Sequence, residues 1–404
     1  MEERVRILVL SQYFYPEEFK VNDLVEGLVQ RGHDVVVLTG KPNYPSGKFA
    51  DGYKFWGVKH EEYKGAKVIR VPLIPRRSGG NKDLIINYFS FLFFAQWYVM
   101  THKIEVDYVI CHETSPIIQI YPAFWVKWRN KCKVSMWILD LWPESIVAAG
   151  RSYGNFVMKM LNSMVRGIYR RCDTLFVAAE SFIDSINEKG DFSDKVVYAP
   201  NWAEDLFSNK TLIDAQKHKD IIPRGFIVMF AGNIGKAQDF DAIIKAANET
   251  RDVKDIKWVI VGDGRKRAEA EQQVKDLGIE DTVSFLGRYP LVEMPSFFVH
   301  ADAMLVSLKD EYIFSLTIPA KTQAYMASGK PILTMINGVG NDVVNEAKCG
   351  LTANAGDYKQ LADNVLKMYN MDKSALDEMG VNAETYYRTH FDKDEIIDRV
   401  LKYN

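Results

Sequence analysis

The sequence predicts an α/β protein of two doubly wound, Rossmann-like domains, and three observations carry that expectation. Apolar runs of strand length recur along the chain, apolar on both faces as buried parallel strands are. Segments with apolar residues at helical spacing separate them, the alternation that builds a parallel sheet covered by helices. The pattern then restarts past the middle of a 404-residue chain, a length that suits two domains with a core each.

In order, VRILVLS (5–11) reads as a strand, and the next segment as a helix through Leu24 and Leu28 that stops at Gly32. DVVVLTG (34–40), KVIRVP (67–72), DYVICH (107–112), KVSMWIL (133–139), TLFVAA (174–179) and KVVYAP (195–200) are the following strands, with helices from about 83, from Ile117 and through 156–171 among the connections. The polar stretch 208–224 reads as a linker. GFIVMFAG (225–232), IKWVIVGDG (256–264), TVSFLG (282–287), ADAMLVSL (301–308) and KPILTM (330–335) form the second set, and the tail from Tyr358 reads as helical throughout.

Composition removes several classes of function. Aromatics at 12% and a net charge of −2 exclude a disordered chain. The four cysteines, Cys111, Cys132, Cys172 and Cys349, form no CxxC pair, which argues against a disulfide framework or a zinc site. Residues 1–200 carry 26 Lys and Arg against 22 Asp and Glu, and residues 201–404 carry 25 against 31, an imbalance too weak for a nucleic-acid binder. The amino-terminal apolar run is too short for a secretory signal. Leu84–Met100 is uncharged, but it is shorter and more polar than the roughly 20 apolar residues of a membrane span.

In open sheets of this type, ligands sit beyond the carboxyl ends of the strands, so two such domains predict a site in the cleft between them. The loop FAGNIGKAQDFDAII (230–244) has glycines at 232 and 235 and a helix opening near Asp239. Its backbone N–H groups, the helix amino end and Lys236 suit a diphosphate; a tight turn with Lys236 solvated suits the residues equally well. IVGDG, with Gly262, and FLGRYP, with Arg288, end further strands. In VSLKDEYIFSLTIPAKTQAYMASGKPIL (306–333) a helix starts at Pro319 or Ala320, with Lys321 and Gln323 in its first turn. A lysine there opposes the helix dipole, which points to an anionic partner.

FAGNIGKAQDFDAIIKAA, VIVGDG, VSFLGRYPLVEMPSFFVHADAMLVSL and TIPAKTQAYMASGKPIL, with ILVLSQYFYPE, DLWPES and VVYAPNWAEDLF in the first half, resemble retaining family-4 glycosyltransferases of the GT-B fold. The branch they resemble builds O-antigen and capsule sugars, typified by fucosamine transferases. The resemblance implies an acceptor-binding domain over 1–205, with the helix 386–404 packing back on it, and a nucleotide-sugar domain over 206–385. It implies transfer of a sugar, an N-acetylated hexosamine, from a UDP-sugar to a polyprenyl-diphosphate-linked saccharide, with retention, no cofactor and no metal. Donor binding falls on Gly232, Asn233, Ile234, Gln238, Gly262, Arg288, Ser315, Thr317, Ile318, Pro319 and Gln323. The family's phosphate-loop arginine is Asn233 here, its lysine falls at Gln238, and its two glutamates fall on Ser315 and Gln323.

The departing diphosphate needs positive groups where its charge develops. That role is assigned to the N–H groups of Gly232–Ile234, to Lys236 and to Lys321, and Asp140 or Glu113 is expected to face the oxocarbenium-like sugar. Asp239 and Asp241 look like a DxD motif, but a helix start makes capping the expected role. Acceptor-side residues are Tyr15, Tyr44, His112, Trp142 and Glu144, with Trp142 read as strand-end packing or a stacking wall. Leu84–Met100, with Arg70, Arg76, Arg77 and Lys82 before it and Lys159, Arg166 and Arg170 beyond, suggests peripheral attachment to the inner face of the cytoplasmic membrane. A core helix with solvated charges is the other reading. Two further functions fit the same fold: a nucleotide-sugar 2-epimerase, and a non-catalytic sugar-nucleotide-binding partner.

Overall fold

A computed structural model describes residues 4–148 and 154–403, which fall into two compact units, Met1–Pro200 with Asp394–Asn404, and Asn201–Lys393. The first unit runs β1 (Arg6–Leu10), α1 (Lys20–Gln30), β2 (Asp34–Gly40), β3 (Lys59–Tyr63), β4 (Ala66–Val71), α2 (Asn81–Thr101), β5 (Tyr108–Glu113), α3 (Tyr121–Asn130), β6 (Lys133–Ile138), α4 (Glu144–Ala148), α5 (Asn155–Arg171), β7 (Thr174–Val177), α6 (Ser181–Glu188) and β8 (Val196–Tyr198). Its sheet has the order β3-β4-β2-β1-β5-β6-β7-β8, parallel except for β3 against β4. The central strands are mostly apolar and, apart from their first residues, largely buried, as a sheet covered on both faces requires.

The second unit contains β9 (Phe226–Ala231), α7 (Phe240–Glu249), β10 (Ile256–Val261), α8 (Arg267–Leu277), β11 (Val283–Gly287), α9 (Met294–Phe298), β12 (Ala303–Ser307), α10 (Tyr312–Ser315), α11 (Ala320–Ala327), β13 (Ile332–Met335), α12 (Val339–Glu346), β14 (Gly350–Ala353), α13 (Tyr358–Tyr369) and α14 (Lys373–His390). Its parallel sheet has the order β11-β10-β9-β12-β13-β14, so the chain steps one way from β9 to β11 and the other way from β12. The switch point lies between β9 and β12, where ligands settle in such sheets.

Two sequence expectations are corrected. The stretch 208–224 is not a free linker: the Asp214 N–H donates to Ser296 Oγ at 3.0 Å, and the His218 ring stacks on Phe297 at 3.9 Å, both inside the second unit. Nor does the whole segment 386–404 return to the first unit. Tyr387 and Phe391 are buried in the core of the second, and the Tyr387 hydroxyl accepts from the Ala203 N–H at 3.1 Å. Of α15 (Lys393–Leu401), the part from Asp394 packs on the first unit, where Arg31 pairs with Asp394 and Asp398 and Arg399 donates to the Tyr198 carbonyl.

Candidate active site

Within the second unit, the loops after β9 and β10 meet backbone to backbone. Gly262, at φ 154°, lies so close to Gly232 that a Cβ there would overlap the Gly232 carbonyl. The Gly232 N–H donates to the Val261 carbonyl at 2.8 Å and the Ile234 N–H to that of Asp263 at 2.9 Å. This corrects one expectation. Two of the three N–H groups assigned to a diphosphate are already engaged, and Asn233, exposed at the tip, carries the third.

Lys321 is placed by its own helix. Residues four apart share a face of α11, so Lys321 lies one turn before Tyr325. The buried Tyr325 hydroxyl donates to the Ala231 carbonyl and accepts from the Ala231 N–H, both at 3.2 Å, pinning the helix to the end of β9. Lys321 therefore lies over the next residue: a Cβ on Gly232 would come within 2.6 Å of its Cε and 2.9 Å of its Nζ. Its ammonium stands 4.9 Å from the Phe230 ring, and among the described residues it has no hydrogen bond and no ion pair. Burial holds its pKa down to about 8. Tyr325 went unnoticed in the sequence; its spacing from Lys321 was the available signal.

The other donor-side residues divide. Gln238 turns its Oε1 to the Gly235 N–H at 3.1 Å, so it braces the loop. Lys236 is exposed and borders a depression with Lys266, Lys309 and Asp241. Ser315 and Thr317 turn their hydroxyls to the carbonyls of Tyr312 and Phe314, Ile318 packs on the core, and Pro319 leads into α11. Gln323 is buried with its Nε2 donating to the Asn201 carbonyl at 2.6 Å, which orients Oε1 as the remaining acceptor. Arg288 is exposed and without an ion pair among the described residues. The expected capping also fails in detail. Asp239 makes no side-chain cap, and Asp241 accepts from Gln273 at 2.7 Å.

In the first unit, burial removes one expected acceptor-side contact, His112, and one expected catalytic contact, Glu113. His112 is buried beside Trp137, its pKa lowered to about 3 by desolvation, so it is a neutral core residue. Glu113 is fully buried and its pKa is pushed well up, first by burial and then by Asp140. Its two oxygens accept from the N–H groups of Ser115 (3.0 Å) and Asp140 (3.3 Å), which makes it a positioning residue for the loops after β5 and β6. Glu113→Gln would remove one weak acceptor and is expected to cost about 1 kcal/mol in a denaturant titration; a loss of several kcal/mol would mean that an ionised carboxylate is required. Asp140 is raised by burial as well. Glu144 pairs with Lys189 at 2.6 Å, and Trp142 donates to Ser115 Oγ at 2.9 Å, the packing role. Tyr15 and Tyr44 are exposed, Tyr44 beneath the Arg76 guanidinium at 5.0 Å.

Residues 225–371 match the family model Glycosyl transferases group 1, and residues 18–202 match Glycosyl transferase 4-like domain. The chain is 24% identical over 340 residues to WcaI of Escherichia coli (strain K12), which carries the name of a colanic acid biosynthesis glycosyl transferase; the match covers 80% of this chain and 82% of that one. It is 24% identical over 299 residues to WbjE of Pseudomonas aeruginosa, named as a glycosyltransferase, covering 71% and 72%. The crystal structure of Anabaena Alr3699/HepE in complex with UDP and glucose superposes with a TM-score of 0.69 at 14% identity, covering 99% of each chain. The chain thus consists of a glycosyl transferase 4-like domain followed by a group 1 glycosyl transferase domain, on the two Rossmann-like sheets of the GT-B fold.

Proposed function

We propose that this protein is a retaining, metal-independent glycosyltransferase of surface polysaccharide assembly, working in the cytoplasm. It moves a sugar, an N-acetylated hexosamine, from a UDP-sugar to a saccharide carried on a polyprenyl diphosphate. The observation that carries the reading is the Lys321 ammonium, half-buried at the switch point of the second sheet without a counter-charge among the described residues. A buried cation in an apo fold is unfavourable unless an anion completes it. The relative named for colanic acid biosynthesis and the neighbour bound to UDP and glucose support polysaccharide assembly and a nucleotide-sugar donor.

In this mechanism the bond between the anomeric carbon and the diphosphate oxygen breaks, and its electron pair stays on that oxygen. Lys321 and the Asn233 N–H meet the growing charge, an interaction stronger in the transition state than before it. The acceptor hydroxyl attacks from the face the diphosphate leaves, its proton passing to the departing phosphate oxygen, so configuration is retained. Gln323 Oε1 accepts from a ribose hydroxyl, the role the family gives to a glutamate.

UDP-sugars incubated with the protein and a lipid-linked monosaccharide test the proposal. An elongated lipid with the donor's anomeric configuration, formed in chelator, is the expected result. An altered free nucleotide-sugar would mean epimerisation, and binding without turnover a non-catalytic partner.

The lysine also predicts a proton linkage. An anion raises the Lys321 pKa from about 8, so UDP-sugar affinity is expected to be flat below that pH and to fall above it, by at most about tenfold per pH unit. Calorimetry near pH 9, in buffers of different ionisation heat, should detect proton uptake on binding.

A further inference from the structure

The crossovers β4→β5, β5→β6 and β6→β7 all run the same way across the first sheet, so right-handed connections place α2, α3 and α5 on one face of it. Among the described residues that face keeps large apolar side chains exposed. Along α2, Ile85, Phe89, Phe93, Trp97 and Met100 form an exposed stripe, with Phe93 61% and Trp97 60% exposed. On α3, which packs beside α2, Trp128 is 70% exposed. A second element joins the stripe. The Lys41 ammonium donates to the carbonyls of Lys54, Phe55 and Trp56, fixing a loop whose Phe55 ring packs on Phe94 of α2 at 5.8 Å and whose Trp56 is 79% exposed.

Charge identifies what this surface fits. Lys127 of α3 is tied to Asp173, which leaves six cations on the three helices, Lys82 on α2, Arg129 on α3, and Lys159, Arg166, Arg170 and Arg171 on α5, against Asp83 and, on α6, which the β7→β8 crossover puts on the same face, Asp184 and Glu188. A second copy of the chain docked face to face would set these cations against one another. An anionic lipid surface satisfies both components, with aromatic and aliphatic side chains entering the headgroup boundary and the cations meeting phosphates. Arg70, expected among the lipid-facing charges, is instead buried against Glu61. We propose that the α2–α3–α5 face of the first unit, with the Trp56 loop, is a docking surface for an anionic lipid bilayer, lying on it without spanning it. The inference uses no residue of the donor site, so either can fail without the other.

Flotation of the whole protein with vesicles tests it. The wild type should rise with vesicles rich in phosphatidylglycerol, less so at high salt, and stay at the bottom with phosphatidylcholine. Phe93→Glu and Trp97→Glu, on side chains already exposed, should each cut the bound fraction at least about tenfold. Lys159→Glu should cut it severalfold, and Val381→Glu, an exposed apolar site in the second unit, should leave it unchanged. Melting curves of the variants confirm the fold. Failure of the wild type to float with anionic vesicles would overturn the proposal. So would equal flotation with both vesicle types, undiminished binding by Phe93→Glu, or a dimer that Phe93→Glu dissociates in place of vesicle binding.

Discussion

Lys321→Ala is expected to lower kcat by roughly 100- to 1000-fold, the range found when one donor to a developing negative charge is removed, while the apo protein becomes no less stable. The two halves have one cause. Burial depresses the Lys321 pKa from 10.5 to about 8, so the folded state resists the charged form that the unfolded chain accepts freely. The unfolded state therefore binds more protons between those two values, and stability rises with pH across that window. Below about pH 8 the charged lysine weakens the fold by something on the order of 2–3 kcal/mol, a penalty that alanine removes. Melting curves of both proteins at neutral pH, with kcat for elongation of the lipid-linked monosaccharide, check it. Unchanged kcat would exclude Lys321 from the mechanism, and a large drop in melting temperature would mean that a hidden anionic partner already holds it.

Gly262→Ala is expected to have the larger structural effect. Its Cβ would overlap the Gly232 carbonyl, and neither can rotate away, because the backbone fixes a Cβ and the carbonyl is main chain. The loops after β9 and β10 must separate, breaking the Gly232–Val261 contact of 2.8 Å and lifting Gly232 relative to Lys321. A cost of about 2–4 kcal/mol follows from overpacking combined with backbone strain. UDP affinity should fall at least about tenfold with it, as misplaced groups no longer converge on one anion. Denaturant titration and calorimetry with UDP measure both. Full retention of affinity would show that the seam does not shape the site.

The sequence made the sheets legible wherever strands are buried on both faces, as in FIVMFA of β9 or WVIV of β10, because buried positions on both faces call for apolar side chains. It hid β3, whose KHEEY lies at the sheet edge and is mostly exposed, and β14, a four-residue edge strand. The stretch 208–224 looked like a linker because it is polar, yet polarity does not reveal that His218 finds an aromatic partner in Phe297. For the site, Lys321 stood out because a cation in a first helical turn is electrostatically awkward. The engagement of the Gly232 and Ile234 N–H groups was invisible, since it depends on how two loops distant in sequence meet. His112 and Glu113 follow the same rule. A strand-end position is readable, but whether the side chain points out or in is decided by the packing around it.

The ammonium above Gly232 also bears on what happens after the chemistry. Among the described residues no carboxylate waits to reclaim it when an anion departs, so egress recreates an isolated charge inside the protein. The escape of the spent nucleotide is then the uphill stage of the cycle. Once the nucleotide has left, shedding the proton relieves that charge, and a lysine that titrates near 8 when empty does so at a pH where an ordinary one stays charged.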